Sequence, residues 1–374
     1  MSVVIAASAV RTCLGDGAET FAAMRRGRSG VAPLRYFDAS TLNVSHGYQI
    51  VEEADEPVFR ASRWLTVCVR QAVERCGLDL TRRRVAAIVG TGLRELRAVE
   101  LDGAPSDPLE AARLHFGAAV RRALPQLAEV ITISNACSAS GHALAVAQDL
   151  LALDEFDVVI AAGADAMTAS MLAMIGRFAE APTSAIRPFD RSRTGALLGD
   201  GAAAVVVVRD TEPVVALARV LSTGLSCDAA HETVPSREGI LRAMRDAFER
   251  ARRRPENVDL VVAHGTGTLL NDPTESAALA EMFGAVATPP LVTGLKGAIG
   301  HTSGSAALMS VDVAVRCMTS GTIPPVVGLR EPLDEGRTLR LVTTQAASAP
   351  VRLAQVNAFG FGGVNAVTLL ERAA

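Results

Sequence analysis

An α/β fold is what this sequence predicts, with strands covered on both faces by helices. Short runs rich in Val, Ile and Ala alternate with longer stretches of helical periodicity along all 374 residues. The strand candidates are continuous apolar runs rather than alternating ones, which is what strands buried on two sides require. Composition agrees: 49% of residues are apolar and only 4% aromatic, which suits helices packed closely on β-branched strands. The length allows two core-forming units.

Val3–Ala7 reads as the first strand. It has no basic segment before it and Arg11 cuts the apolar run short, so it is not a signal peptide. Ala18–Arg26 and Ser62–Cys76 read as helices, and Val85–Val89 as the next strand. A polar turn from Asp102 to Pro108 leads into an amphipathic pattern over Pro108–Leu124. Val130–Ile133 is a β-branched strand, followed by a helix over Ser138–Leu151; Val158–Ala162 and Ala203–Val208 are wholly apolar strands. The polar run Arg209-Asp-Thr-Glu-Pro213 then breaks the pattern. Beyond it come strands at Val214–Leu221, Leu260–Ala263, Leu291–Thr293, Val351–Val356 and Ala366–Leu370, with helices at Gly239–Arg252, Thr274–Phe283 and Ser305–Ser320. Several strand and helix units lie on each side of the break, which hints at a duplicated fold although no repeat is legible residue by residue. The expected division is 1–211 and 212–374.

A net charge of −3 leaves no basic excess, which argues against nucleic acid as a partner. Arg82–Arg84 and Arg252–Arg254 sit beside expected helix ends and read as solvated charge rather than as a docking patch for an acidic carrier. Cys13, Cys68, Cys76, Cys137, Cys227 and Cys317 show neither CxxC pairs nor metal spacing, so a reduced, cytoplasmic setting follows, with most of them small buried hydrophobes. No uncharged stretch reaches membrane-spanning length.

Cys137 carries the chemistry. It stands where the strand Val130–Ile133 gives way to a helix, and the positive end of a helix dipole lowers a thiol's pKa and favours the nucleophilic thiolate. The second half offers His264 in His-Gly-Thr-Gly-Thr268 and His301 in Lys296-Gly-Ala-Ile-Gly-His301. Lys296 is the only lysine, against 36 arginines, which suggests a task that arginine cannot perform.

Together these motifs resemble the β-ketoacyl-acyl-carrier-protein synthases of the thiolase superfamily, closest to the branch with one cysteine and two histidines. The matching segments span nearly the whole chain: Gly27-Arg-Ser-Gly30, Arg187-Pro-Phe-Asp190 with Arg193 and Gly195, Gly199-Asp-Gly201, and Gly224-Leu-Ser-Cys-Asp228-Ala-Ala-His231. His264 to Thr268 with Asp272 and Glu275, Lys296 to His301, and Asn357-Ala-Phe-Gly-Phe361-Gly-Gly-Val-Asn365 complete the set. The resemblance implies a thiolase-like duplicated αβαβα fold with two buried mixed sheets. It also implies a decarboxylating Claisen condensation of an acyl group held on Cys137 with a malonyl-acyl carrier protein. A thiolate serves as both nucleophile and leaving group. The N–H groups of Cys137 and Phe361 would form the oxyanion hole, and the Phe361 side chain would gate malonyl entry. His264 and His301, both neutral, would stabilise the enolate; losing one such donor typically costs roughly 3–4 kcal/mol. Lys296 would be a buried charge that orients the histidines and pairs with Glu275. Thr266 and Thr268 would contact pantetheine or merely cap the following turn. No metal or redox cofactor is implied, because phosphopantetheine arrives on the carrier.

His142, Asp228 and His231 read as structural, and Asp190, Arg193 and Asp200 as shaping a loop over the acyl pocket. The segment between Gly92 and Val130 is shorter than the family pattern, and the loop Ala179–Ile186 is trimmed. Fatty-acid synthesis or a specialised polyketide or polyene pathway, and a homodimer or a heterodimer with a related subunit, are therefore all open. A thiolase would need a second cysteine in the C-terminal glycine loop, which reads Phe-Gly-Phe-Gly-Gly. The chain-starting Cys-His-Asn branch lacks the second histidine, and no Gly-x-Ser-x-Gly elbow supports a serine hydrolase. A chain-length-setting subunit with little activity, or a non-decarboxylating acyltransferase, remains the alternative.

Overall fold

Eleven strands of the main sheet carry the architecture, and their order repeats. The computed structural model describes residues 2–52, 58–102, 112–178 and 183–373. In the first half the strands are β1 (Val3–Thr12), β2 (Val85–Gly90), β3 (Glu129–Ile133), β4 (Val158–Asp165) and β5 (Gly201–Arg209). They lie in the order β3-β2-β4-β5-β1, with β1/β5 and β5/β4 antiparallel and β4/β2 and β2/β3 parallel. In the second half come β6 (Ala218–Cys227), β7 (Leu260–Val262), β8 (Leu291–Thr293), β9 (Arg340–Leu341), β10 (Leu353–Gly360) and β11 (Val364–Arg372). Their order, β8-β7-β10-β11-β6, repeats the same sequence of antiparallel and parallel pairings, with the short β9 added outside β8. The duplication hidden at residue level is thus plain in strand order. The two expected mixed sheets are joined: β1 and β6 pair over Val3↔Val220, Val4↔Arg219 and Ile5↔Ala218, so one ladder runs through both halves.

Helices complete five layers. On the outer face of the first half lies α1 (Arg60–Cys76), whose Trp64, Leu65, Cys68, Val69 and Ala72 form a stripe at helical spacing against Val85, Ile160 and Val206. Between the halves lie α2 (Ala139–Ala152) and α5 (Ala306–Ser320), and over the second half lie α3 (Arg237–Ala251) and α4 (Asn271–Phe283). The inner core joins Leu144 and Leu308 to Val159, Val205, Leu260 and Val356; the far core joins Ile240 and Met244 to Val261 and Val367. Val159 faces inward and Ile160 outward on one strand, so both faces are buried and the apolar runs have no polar gaps. By contrast β3 is an edge strand and keeps exposed positions.

Most expected elements are present within a few residues. The helix expected over Pro108–Leu124 is confined, among the described residues, chiefly to Gly117–Ala123; residues 108–111 lie outside them, as do 179–182 of the trimmed loop. The strand expected at Val214–Leu221 runs from Ala218 to Cys227, because its polar second half is recruited by pairing with β11. No helix among the described residues is long and apolar enough to cross a membrane.

The nucleophile's helix is seated by one close approach. A Cβ on Gly90, at the end of β2, would collide with the backbone of Ala139 and Ser140 at the start of α2. Gly90→Ala is expected to lower stability by about 1–3 kcal/mol, through overpacking that the backbone must absorb. Urea denaturation would measure the loss, and an unchanged midpoint would contradict the close seating.

Candidate active site

The carboxyl ends of the parallel strands in both halves meet, which is where open α/β sheets place their chemistry. From the first half, β3 ends at Ile133 and a 3₁₀ turn, Ala136–Ser138, delivers Cys137 to the start of α2. Ala136 holds φ at +59°, a left-handed conformation that is costly for a residue with a Cβ and that aims the following thiol. From the second half, β7 leads to His264, β8 to the turn Lys296–Ile299 and His301, and β10 to Phe361.

These residues converge on one sulfur. His301 Nε2 lies 3.0 Å from Cys137 Sγ, although the two are 164 positions apart. The rings of His264 and His301 stand edge to face with centroids 5.5 Å apart. The backbone N–H groups of Phe361 and Cys137 lie close enough to the sulfur to favour its thiolate. Phe361 itself is 48% exposed, so no core packing fixes its ring.

Hydrogen bonding sets the tautomer of His264. The Phe359 N–H donates to His264 Nδ1 at 3.3 Å, and Lys296 Nζ approaches the same nitrogen at 3.3 Å while also donating to the His264 carbonyl. With donors on Nδ1, the neutral ring carries its proton on Nε2. His301 differs, because its Nδ1 is buried and has no hydrogen-bond partner among the described residues. Burial, reinforced by the Lys296 charge, holds both imidazoles well below their usual pKa, so they are neutral at pH 7 as expected.

Two expectations need correction. The helix terminus does not leave Cys137 acidic: burial pushes the thiol up to about 11. The Lys296 charge and the N–H groups of Phe361 and Cys137 oppose that rise without cancelling it, and Asp165 adds to it. Nor do Lys296 and Glu275 form an ion pair among the described residues. Both Glu275 oxygens are occupied, by the N–H groups of His264 and Gly265 at 2.8 Å each and by the amides of Asn357 at 3.0 Å and Asn271 at 3.4 Å. Glu275 therefore anchors the histidine loop and favours the lysine's charge only from a distance. Lys296 is 2% exposed, and burial lowers its pKa to about 8.

Asp272 supplies the rest of the anchor. It accepts from the N–H groups of Thr266 at 3.0 Å, of Gly267 at 3.0 and 3.1 Å, and of Phe189 at 2.7 Å. Thr266 and Thr268 hydroxyls lie 2.9 Å apart, Thr268 Oγ1 accepts from the Asn271 N–H, and Arg193 donates to the Thr268 carbonyl at 3.0 Å. Asp190 ties its loop to the N–H groups of Arg330 and Glu331, and Asp200 accepts from Ile50 and Met167. Asp228 packs so tightly on Gly363 that a Cβ there would collide with its carboxylate, while His231 Nδ1 accepts from the N–H groups of Thr233 and Val234. His142 donates to the Ser138 carbonyl. Asn357 and Asp165 are the supporting residues that sequence reasoning did not single out. Asn357 had a signal, since it opens the glycine motif; Asp165, at the end of an apolar strand, had none.

Comparison with known proteins agrees with this geometry. The sequence profile of the beta-ketoacyl synthase N-terminal domain matches residues 1–212, and that of the C-terminal domain matches residues 217–330. The chain is 30% identical over 409 aligned positions to 3-oxoacyl-[acyl-carrier-protein] synthase 2 of Coxiella burnetii, covering 99% of this chain and 98% of that protein. It is 31% identical over 378 positions to nodulation protein E of Rhizobium meliloti, covering 93% of each. Among solved structures, the ishigamide ketosynthase/chain length factor superposes with a TM-score of 0.91 at 30% identity, covering 100% of this chain and 99% of that one.

Because Lys296 lowers the thiol's pKa only while charged, its influence fades as pH rises through about 8. In Lys296→Met, alkylation of Cys137 by iodoacetamide is expected to slow by up to about tenfold at pH 7, one pKa unit being a tenfold change in thiolate. The difference should narrow above pH 9, and a constant ratio across the range would rule out the charge effect.

Proposed function

This chain belongs to the β-ketoacyl synthase family and is an acyltransferase of Claisen condensation in fatty-acid or polyketide assembly; we propose that it works through Cys137, His264 and His301. The observation that carries this reading is the 3.0 Å contact between His301 Nε2 and the Cys137 sulfur. The N-terminal half, 1–211, supplies the nucleophile, and the C-terminal half, 212–374, supplies the two imidazoles.

In the first stage the thiol proton passes to His301 Nε2 as the sulfur attacks an acyl thioester on an acyl carrier protein. The N–H groups of Cys137 and Phe361 hold the oxyanion, and the departing carrier thiol takes the proton. Malonyl-carrier then binds and loses CO₂. Its enolate oxygen is held by the Nε2–H of His264 and the ring N–H of His301, and the carbanion attacks the acyl-cysteine and expels the thiolate, which takes a proton from solvent to restore the thiol. Lys296 holds His264 in the donating tautomer, Glu275 fixes the loop, and Phe361 gates malonyl entry. Phosphopantetheine comes on the carrier, with Thr266 and Thr268 facing it, and no other cofactor takes part.

The carrier as partner is supported by the name of the Coxiella relative, and a dimer by the paired ketosynthase/chain length factor. We place the enzyme in the cytoplasm, a setting supported by its six free cysteines, and pair it with a non-identical ketosynthase-like subunit. A stable homodimer of the chain alone in sedimentation would count against that pairing.

Cys137→Ala is expected to abolish condensation and to retain malonyl-carrier decarboxylation, because the histidines remain. Radiolabelled CO₂ release and intact-protein mass spectrometry after incubation with acyl-carriers read the two stages separately. Loss of both activities in the folded variant would refute this division of labour.

A further inference from the structure

We propose that Asp165 is a positioning residue of this reaction: its carboxylate braces the turn after β2 against the turn after His301 and so keeps sulfur and imidazole in register. The inference rests on the role proposed above for Cys137 and His301, and deepens it.

Asp165 ends β4 and is 1% exposed. One carboxylate oxygen accepts from Thr91 Oγ1 at 2.7 Å, the Leu93 N–H at 2.8 Å and the Gly92 N–H at 3.2 Å. The other accepts from the Gly92 N–H at 2.9 Å and from the Gly304 N–H at 2.7 Å. The first set belongs to the turn that follows β2, and its Thr91 N–H donates to the Ile133 carbonyl at 2.9 Å, at the end of the strand that leads to Cys137. The last donor lies three residues after His301. One buried side chain therefore spans the two segments whose relative position sets the sulfur–imidazole distance.

The surrounding packing permits little slack. A Cβ on Gly304 would collide with the backbone of Thr91 and Gly92, and one on Gly92 would lie 3.2 Å from Ser303 Cβ. Ser303 holds φ at +48°, so this turn is constrained by its contacts rather than by its own preference. A carboxylate with several donors spans such a gap better than an amide, which has a single acceptor oxygen and would face Gly304 or Gly92 with a donor.

Asp165 also faces the reaction electrically. The charged or titratable groups around the thiol are Lys296, Asp165, His301 and His264. With both histidines neutral, Lys296 and Asp165 are the two that act by charge, in opposite directions.

Asp165→Asn tests the idea. Turnover in condensation should fall by about tenfold or more, since small misplacements of a reacting pair cost that much, while KM for malonyl-carrier stays within about threefold. The pH midpoint for iodoacetamide alkylation of Cys137 should drop by about one unit, because a negative charge near the thiol is gone. The midpoint shift reports only the lost charge, which a merely structural aspartate would show as well; a structural role would lower stability and leave turnover of the folded variant intact, so normal turnover overturns the proposal whatever the midpoint does. Thr91→Val, which keeps the charge but removes the hydroxyl's bonds to Asp165 and to the Arg94 N–H of the same turn, serves if the first variant does not fold. Turnover should then fall severalfold with the midpoint unmoved, and full turnover overturns the proposal. Wild-type enzyme that forms no acyl-Cys137 would refute the reaction proposed above, an outcome read before either variant is compared, whereas a wild type that condenses and an Asp165→Asn that condenses equally well would refute the role of Asp165 alone.

Discussion

The approach of His301 to Cys137 is the constraint on which the rest of the structure depends. No local preference brings together residues 164 positions apart; only the tertiary fold does. Two copies of one strand order are joined by three residue pairs of β1 and β6, with α2 and α5 packed between them. The carboxyl ends of both halves then face one place, and each half contributes part of a site that neither holds alone. Small residues along the central seam make this possible: a Cβ on Gly141 of α2 would lie 2.9 Å from Ala366 Cβ and 3.5 Å from Ala307 Cβ.

Charge placement follows from the same convergence. Burying Glu275, Asp272 and Lys296 side by side invites a neutralising pair, yet the carboxylates are saturated by backbone N–H groups and side-chain amides. Hydrogen bonds to a carboxylate lessen the cost of burying it. Lys296 is thereby left to donate to the His264 loop, and its charge still reaches the thiol and both imidazoles. A direct lysine–glutamate contact would have partly offset the charge that adds to burial in keeping His264 neutral.

Much of this was legible in the sequence, for identifiable reasons. Strands such as Gly201–Arg209 are buried on both faces and so read as uninterrupted apolar runs. His264, His301, Lys296 and Phe361 lie in glycine-rich segments just past strand ends, and Cys137 at a strand-to-helix junction, where pattern and chemistry coincide. The helix Ala169–Phe178 and the short helix Leu96–Asp102 carried no strong boundary signal and were not expected. The thiol's character was misjudged because a helix terminus is visible in sequence while desolvation is not; burial depends on which distant segments close over the sulfur. The Lys296–Glu275 pair was wrong for a related reason, since opposite charges in two motifs say nothing of the amides that reach the carboxylate first. Asp165 was invisible because its partners at 91–93 and 304 are neighbours only in space.

The two imidazoles have unequal freedom, and the proposed reaction uses the difference. His264 receives donors at Nδ1 from Phe359 and Lys296, so its outward nitrogen is a fixed N–H and it can only donate. Among the described residues His301 has no partner at Nδ1, and it meets the sulfur at Nε2, so none of them fixes its tautomer from the far side. A thiol raised to about 11 must shed its proton during acylation, which requires an acceptor beside it. The enolate formed later requires a donor in the same region. One ring that serves both needs must keep its tautomers close in energy, and an imidazole with a second nitrogen bound to backbone or carboxylate would lose that balance.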